Sequence, residues 1–249
     1  MKICFFSDIH GNGYAFDAFL KEMEEQKPDT IIFGGDFAGY YYDADRIISK
    51  VRELRFPCVL GNHDKMLLEL LDGKREIEPL IEKYGSSYAM LARNLKQENE
   101  QFLRSLPPFY EMEEDGLKLG FFHGSPRDYQ NDRIYPDTEI ADGAEIAKFE
   151  KYDYVFAGHT HHKLVKQFGK TILINPGSAG QQRDGKGTSY VLFDTKAKDW
   201  EIRAFFYDVN RLEQDIDKFE QDSEIRKNRL KEVLHRHAIM EIETGDKRK

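Results

Sequence analysis

Aspartate, asparagine and histidine side chains cluster in short polar loops, and each loop directly follows a short apolar run. The loops offer seven side chains that can ligate a metal: Asp8, His10, Asp36, Asn62, His123, His159 and His161. Five of the eight histidines of the chain fall in these loops, which packing alone does not explain. Oxygen and nitrogen donors without cysteine suit Mn²⁺, Fe, Zn²⁺, Co²⁺ or Ni²⁺, and the histidines disfavour a pure Mg²⁺ or Ca²⁺ site. The pattern therefore predicts a transition-metal centre.

Seven ligands exceed what a single ion needs once bound water is counted. Two ions that share a carboxylate, about 3.5–4 Å apart, account for the set better. Asp8 and His10 stand two apart, so in extended backbone both side chains would face the same way. His63 stands beside Asp64 and follows Asn62, a place from which an imidazole can protonate a leaving oxygen. For any one loop by itself, a capping aspartate and a loop histidine remain the simpler interpretation.

The elements that must position these loops follow an alternating pattern. Residues 2–7, 30–33 and 57–60 are short apolar runs that predict buried strands, and each precedes a polar loop. Apolar residues at helical spacing predict two helices between them, one after Gly13 and one over 43–54. This order indicates an α/β fold, in which ligands gather at the carboxyl ends of the strands.

The rest of the chain continues the strand pattern, with one interruption and a tail. Further strands are predicted over 109–113, 117–122, 154–157, 163–168, 171–174, 189–194 and 200–207. A helix is predicted within 137–150. Residues 65–106 predict mostly helix and form an insert beside the site, which either packs or covers the substrate. Residues 208–249 predict a polar helical tail, and the whole chain, 1–249, is expected to be one domain.

The composition excludes several classes of protein. A hydrophobic content of 40% and a charged content of 33% are typical of a soluble globular chain. The net charge of -8 disfavours long nucleic acids and anionic membranes as partners, although bound metals would reverse the sign locally. The sequence has no apolar stretch suited to a signal peptide or a membrane span, so a cytoplasmic location is expected. Cys4 and Cys58 lie in apolar runs and are expected to be buried free thiols.

Taken in order, the motifs D-x-H, G-G-D, G-N-H-D, H-G and G-H-x-H resemble the pattern of the calcineurin-like metallophosphoesterase superfamily. They stand at residues 8–10, 34–36, 61–64, 123–124 and 158–161. Each motif is weak alone, and the ordered five are specific. Within the superfamily the chain is similar to small bacterial and archaeal phosphodiesterases, and the likeness extends to about residue 207. The resemblance implies a two-sheet β-sandwich flanked by helices, a four-layer α/β/β/α arrangement.

The resemblance also implies roles for the residues. One metal would be held by Asp8, His10, Asp36 and His161, and the other by Asp36, Asn62, His123 and His159. Asp36 would bridge the two metals, His63 would meet the substrate and protonate the leaving group, and Asp64 would orient His63. The expected activity is hydrolysis of small phosphate esters, diesters or monoesters, by a hydroxide that bridges two divalent metals. Manganese is the first choice of metal, with Fe, Zn²⁺, Ni²⁺ or Co²⁺ as alternatives.

Three residues beside the motif loops are candidate substrate contacts. Asn12, which follows the first motif, could touch a phosphate. Arg127 and Arg183 could each clamp a phosphate, with a surface salt bridge as the equal alternative for both. The tyrosines at 40–42 are expected to pack.

Other functions stay open at this point. Residues 37–40 read Phe-Ala-Gly-Tyr, whereas serine/threonine phosphatases and diadenosine tetraphosphatases have an aspartate–arginine pair there, which puts those substrates in doubt. A nucleotide-polyphosphate hydrolase remains an alternative. So does a catalytically silent metal-bound scaffold, although a scaffold has no need to keep His63. The sequence leaves open whether the chain forms a homo-oligomer.

Overall fold

Two β-sheets stacked face to face, with helices on their outer sides, form the part of the chain that the structure describes. This computed structural model describes residues 1–139 and 143–244, with side chains to residue 234. The strands are β1 (Lys2–Phe6), β2 (Thr30–Phe33), β3 (Phe109–Glu114), β4 (Leu117–Phe122), β5 (Tyr154–Phe156), β6 (Lys163–Phe168), β7 (Thr171–Pro176), β8 (Ser189–Asp194) and β9 (Asp199–Ala204). The helices are α1 (Gly13–Gln26), α2 (Ala44–Leu54), α3 (Asn62–Leu71), α4 (Glu78–Tyr84), α5 (Ser87–Asn94), α6 (Gln97–Ser105), α7 (Gly143–Phe149), α8 (Val209–Phe219) and α9 (Glu224–Thr244).

Both sheets mix parallel and antiparallel pairs. The first sheet has the order β2-β1-β8-β9 and the second has the order β3-β4-β5-β7-β6. β1 runs parallel to β2, and β5 runs parallel to both β4 and β7, while the other pairs are antiparallel. The helix predicted within 137–150 is α7, and residues 140–142 of that span lie outside the described residues.

The alternation of side chains along β1 builds two cores at once. Successive residues of a strand face opposite sides of the sheet. Phe5 points toward the second sheet and packs against Phe121 of β4, while Phe6 points outward and stacks on Phe19 of α1 at 4.1 Å between ring centroids. A third cluster, which includes Phe149 of α7, covers the outer face of the second sheet. The predicted two-sheet sandwich flanked by helices is confirmed.

One predicted strand is wrong. The segment 57–60 meets β2 through a single bridge between Phe33 and Cys58 rather than through a ladder. Pro57 has no N–H to donate, and the chain turns into α3 at Asn62, so no further pairs can form. The G-N-H-D motif therefore opens a helix instead of lying in a loop.

The insert and the tail are helical over most of their described residues. The insert over 65–106 consists of most of α3 together with α4 to α6, and the tail over 208–249 consists of α8 and α9, with residues 245–249 outside the described part. Leu212 of α8 and Leu230 of α9 are buried in the cluster that also contains the apolar residues of α1 and α2. The tail therefore packs on its own chain. No helix in the described part is long and apolar enough to cross a membrane.

Candidate metal centre

Left-handed backbone conformations aim five of the predicted ligands at one point. Their φ angles are 60° at Asp8, 49° at His10, 66° at Asp36, 67° at His159 and 59° at His161. Such angles cost residues other than glycine about 1–3 kcal/mol each and collect at functional sites. The extended backbone expected at Asp8 and His10 is therefore wrong, although the two side chains do meet in one group of possible ligands. The chain turns at each of them instead.

Hydrogen bonds tie the motif loops together just beyond the strands. The N–H of Asp8 donates to the carbonyl oxygen of Gly35 at 3.0 Å, and the N–H of His10 donates to that of Asp36 at 3.0 Å. The N–H of His159, in the loop after β5, donates to the Asp8 carboxylate at 3.1 Å. The carboxyl ends of strands from both sheets meet here, which is where α/β folds place their ligands.

The first candidate ligand group consists of Asp8, His10 and His161, all of which are buried. Nε2 of His161 lies 3.3 Å from Oδ1 of Asp8 and 3.0 Å from Nε2 of His10. Nε2 of His10 lies 4.0 Å from the same carboxylate oxygen. Three donor atoms from two distant loops therefore converge.

The other nitrogen of each ring tests whether this group fits a metal. Nδ1 of His10 lies 2.8 Å from the carbonyl oxygen of Ala38. Nδ1 of His161 lies 2.6 Å from the carbonyl oxygen of Gln181, so in both rings Nδ1 carries the hydrogen. Burial is the main cause that lowers the pKa of His10 to about 3, and the ring is neutral. Two Nε2 lone pairs then face each other, an arrangement that a shared cation stabilises, and the donor set fits a metal.

The second candidate group consists of Asp36, His123 and His159, with Asn62 at its edge. Nε2 of His123 lies 3.3 Å from Oδ2 of Asp36 and 2.9 Å from Oδ1 of Asn62. It also lies 3.2 Å from Nδ1 of His159. Oδ2 of Asp36 is 3.7 Å from Nε2 of His10, a member of the first group. Asp36 thus stands between the two groups.

The buried carboxylates make the centre electronegative. Burial alone would raise the pKa of Asp36, but the surrounding histidines, His123 foremost, hold it well below its usual value. Burial also disfavours the charged form of His123, yet the carboxylates of Asp36 and Asp8 raise its pKa to about 9. Burial and His123 together lower the pKa of His159 to about 4. Buried anions need a compensating positive charge, which a bound cation would supply.

His63 lies beside the centre with an unexpected partner. The hydroxyl of Tyr88 lies 2.8 Å from Nδ1 of the His63 ring. Asp64, predicted to orient that ring, instead accepts hydrogen bonds from the backbone N–H groups of Asp36, Ala38 and Gly61. Burial and repulsion by Asp36 raise the pKa of Asp64 to about 7. The first turn of α3 directs the Asp64 carboxylate to these amides, and its role in orienting His63 stays a prediction.

The two arginines predicted to contact the substrate, Arg183 and Arg127, have different hydrogen-bond partners. The backbone N–H of Arg183 donates to the carbonyl oxygen of His161, and its guanidinium donates to the Tyr40 hydroxyl at 2.7 Å. Arg183 therefore stays beside the centre. Arg127 donates two hydrogen bonds of 2.7 and 2.6 Å to the Asp132 carboxylate, which is the salt-bridge alternative.

Asn12 has a structural task. It is fully buried, its Oδ1 accepts from the N–H of Ala15 at the start of α1, and its Nδ2 donates to the carbonyl oxygen of Gly180. Both ends of the carboxamide hold the first motif loop in place, and a contact of Asn12 with a phosphate stays a prediction.

Residues near the centre also come from segments without a motif. Nε of the exposed Arg133 donates to Nε2 of His159 at 3.2 Å. The rings of Tyr84 and Tyr88, both from the insert, lie 4.7 and 6.2 Å from the His63 ring centroid. The only sequence signal for these tyrosines was that the insert directly follows the G-N-H-D motif.

Comparison with known proteins decides the family. The model of the calcineurin-like phosphoesterase superfamily domain matches residues 1–198. The chain belongs to this superfamily. The predicted resemblance is confirmed, and membership of a phosphoesterase superfamily supports a hydrolase that acts on phosphate esters. The two His/Asp groups described above, and a third formed by His10, Asp36 and His63, are candidate metal sites within that superfamily fold.

Relatives of this superfamily member include archaeal and bacterial proteins. An uncharacterized protein of Methanocaldococcus jannaschii is 33% identical over 250 residues, which cover 93% of this chain and 95% of the relative. The crystal structure of a metallophosphoesterase from Sphaerobacter thermophilus is 25% identical, with a TM-score of 0.71 over 92% of this chain and 98% of that one. A probable cyclic nucleotide phosphodiesterase of Pseudoalteromonas sp. is 23% identical over 234 residues, 79% of this chain and 86% of the relative.

The lack of a side chain at Gly39 makes room for His63. Gly39 has a φ of +93°, and a Cβ there would lie 2.4 Å from Nδ1 of His63. We expect Gly39→Ala to displace the His63 ring, to lower kcat about tenfold or more, and to cost about 1–3 kcal/mol of stability. Urea unfolding and steady-state kinetics on a phosphate ester would measure both effects.

Gly73→Ala is the matched control for this substitution. Gly73 has a φ of +67° and no atom within 4 Å of its Cβ position, so the variant carries the backbone penalty without the clash. It should lose stability and keep its kcat. Equal kcat values for the two variants would show that the contact with His63 does not matter.

Proposed function

We propose that the chain is a phosphoesterase that hydrolyses small phosphate esters with two divalent cations, manganese first among the candidates. The observation that carries this proposal is the position of Oδ2 of Asp36, 3.7 Å from Nε2 of His10 and 3.3 Å from Nε2 of His123. The proposed ligands are Asp8, His10, Asp36 and His161 for one cation, and Asp36, Asn62, His123 and His159 for the other. When bound, such a pair lowers the pKa of water and offsets charge on the phosphoryl oxygens.

The residues of the chain supply the remaining chemistry in this proposal. His63 holds the proton that the leaving oxygen takes up, because it lies beside the centre and does not belong to either proposed ligand set. Arg183 pairs with an oxygen of the phosphate, since its backbone N–H binds the carbonyl oxygen of His161 and its guanidinium donates to the hydroxyl of Tyr40. Cys4 and Cys58 are buried free thiols, as predicted, and burial raises the pKa of both, so neither serves as a nucleophile.

The substrate is proposed to be small. A net charge of -8 repels long polyanions, whereas a single ester can approach a local pair of cations. The name of the Pseudoalteromonas relative supports a diester such as a cyclic nucleotide among the candidates. A catalytically silent scaffold is the competing function, and the presence of His63 beside the centre speaks against it.

The test begins with protein stripped of metal and refilled with Mn²⁺, Ni²⁺, Co²⁺ or Zn²⁺. Each form is assayed on a p-nitrophenyl monoester, a p-nitrophenyl diester and a cyclic nucleotide, and its metal content is measured. Hydrolysis that requires about two metals per chain and is abolished by chelation would support the proposal. Binding of metal without hydrolysis of any ester would reject it and favour the scaffold.

A further inference from the structure

The surroundings of the His63 ring come largely from tyrosines. The ring is 7% exposed and lies 5.4 Å from the ring of Tyr40, 4.7 Å from that of Tyr84 and 6.2 Å from that of Tyr88, measured between centroids. The ring of His10 completes the set at 4.7 Å. Aromatic faces restrict how far the imidazole can tilt, but they do not decide which of its nitrogens carries a hydrogen.

A hydrogen bond can decide that, and Tyr88 makes two contacts with His63. Its hydroxyl oxygen lies 2.8 Å from the ring Nδ1 and 3.3 Å from the backbone carbonyl oxygen of the same residue. A hydroxyl has one hydrogen and can also accept. Both contacts are satisfied when the hydroxyl donates to the carbonyl oxygen and accepts from Nδ1–H.

The neighbours that could replace Tyr88 as the hydrogen-bond partner of Nδ1 either bind other groups or have no side chain. The Asp64 carboxylate accepts three backbone hydrogen bonds, two from the second motif loop and one from Gly61. Gly39 approaches Nδ1 with its backbone alone. The side of the ring that faces Tyr88 is therefore left to the tyrosine hydroxyl.

Tyr88 is itself held firmly. Its side chain is fully buried, and its residue lies in the first turn of α5. Just before this helix, the N–H and the hydroxyl of Ser86 both donate to the carboxylate of Glu220, each at 2.7 Å. Glu220 is buried and lies 3.2 Å from Nε of Arg226 in α9. The C-terminal tail thus fixes the segment that carries Tyr88, and a fixed hydrogen-bond partner is what precise orientation of the His63 ring requires.

We propose that Tyr88 is a positioning residue for His63: its hydroxyl accepts a hydrogen bond from Nδ1–H, so that Nε2 is the nitrogen that takes up a proton from water and passes it to the leaving oxygen. This inference rests on the proposed function, in which His63 supplies that proton. It assigns to the helical insert a part in the reaction that neither packing nor covering the substrate would give it.

The kinetic test compares Tyr88→Phe, which removes only the hydroxyl, with the wild type on whichever ester class proves active. We expect kcat to fall about tenfold and KM to stay within about twofold, because the hydroxyl does not touch the substrate. The fall should be larger for a phenyl ester than for a p-nitrophenyl ester, since the poorer leaving group depends more on protonation. In the His63→Ala background, Tyr88→Phe should cause no further loss. An equal loss in that background, or an unchanged kcat, would overturn the proposal.

Tyr190→Phe is the control for loss of a buried hydroxyl. Tyr190 is fully buried, and its hydroxyl donates to Glu22 at 3.1 Å, in contact with α1 rather than with the centre. This variant should keep wild-type kinetics. Both tyrosine variants should bind as much metal as the wild type, so that a loss of metal in Tyr88→Phe would assign the residue to the fold of the centre instead.

A second readout needs neither metal nor substrate. Long-range ¹H–¹⁵N NMR of the metal-free protein at a fixed neutral pH reports the tautomer of each histidine, with His63 assigned by its absence in His63→Ala. We expect the Nδ1–H tautomer in the wild type and in Tyr190→Phe, and a mixture in Tyr88→Phe. An unchanged tautomer in Tyr88→Phe would reject the inference. A wild type that hydrolyses no ester would reject the proposed function, while the NMR result would still decide whether Tyr88 orients the ring.

Discussion

Asp36→Asn should leave a folded protein that has lost both its metal and its activity. Oδ2 of Asp36 lies 3.7 Å from Nε2 of His10 and 3.3 Å from Nε2 of His123, closer to both proposed metal sites than Oδ1 of Asp8, which lies 4.0 Å from the same two nitrogens. An amide is neutral and a poor bridging ligand, so neither site would keep its charge balance. We expect kcat/KM to fall by about 10³-fold or more, equivalent to about 4 kcal/mol of transition-state stabilisation. Metal content after dialysis and steady-state kinetics would measure the two effects.

The fold should tolerate this substitution. Oδ1 of Asp36 accepts a hydrogen bond from the backbone N–H of His63 at 2.8 Å, and an asparagine Oδ1 can accept the same bond. The metal-free variant is spared the burial of a carboxylate, but it loses the attraction of His123 and the other histidines, which holds the pKa of Asp36 well below its usual value. Thermal unfolding of the metal-free proteins at neutral pH should therefore show a folded variant with a modest loss of stability. Asp17→Asn, at an exposed position of α1, is a control for the loss of one charge. Retention of two metals and full activity in Asp36→Asn would contradict the proposed bridge.

His63→Ala should lose activity but keep its metal, whereas Asp36→Asn should lose both. Loss of a general acid is expected to lower kcat by about 10²–10⁴-fold, while metal content stays at the wild-type value. The loss should shrink as the leaving group improves, because a good leaving group departs without protonation. Steady-state kinetics on phenyl and p-nitrophenyl esters, together with metal analysis, would measure both quantities.

The structure also defines a rival outcome for this variant. The rings of His63 and His10 and the carboxylate of Asp36 offer ligand atoms that all lie within 4.8 Å of one another. If His63 binds metal instead of donating a proton, the variant will lose metal in proportion to activity, and the leaving group will not matter. That result would show that His63 is a metal ligand and not the general acid.

Much of the fold was predictable because strong local signals agreed with the tertiary packing. The four residues Thr30–Phe33 form β2, as predicted, and the helix predicted over 43–54 is α2. The segment 57–60 carried an equally apolar signal and failed as a strand. Its neighbour β2 is at the edge of the sheet, and Pro57 and the start of α3 leave room for one bridge only. Pairing depends on what lies next to a segment, which its own residues do not reveal.

The candidate metal centre was also predictable only in part. The motif loops were predictable because residue type limits which chemistry a side chain can do, and their order along the chain indicated the family. The direction of each side chain was not predictable from the sequence. Five of the predicted ligands adopt positive φ values, which only the surrounding hydrogen bonds can hold. The contacts of Asn12 and Asp64 were likewise decided by neighbours distant in sequence or by the local helix start, and Arg127 was taken up by Asp132 in the same loop.

The sequence by itself determined the donor atoms, their order and the superfamily, because these follow from side-chain chemistry and spacing. Only the tertiary structure decided which of those atoms meet and what surrounds His63. Tyr88 comes from an insert without a motif, and Glu220 holds that insert from 134 residues further along the chain than Ser86. Contacts of this kind arise from packing between distant segments, and no periodicity within either segment encodes them.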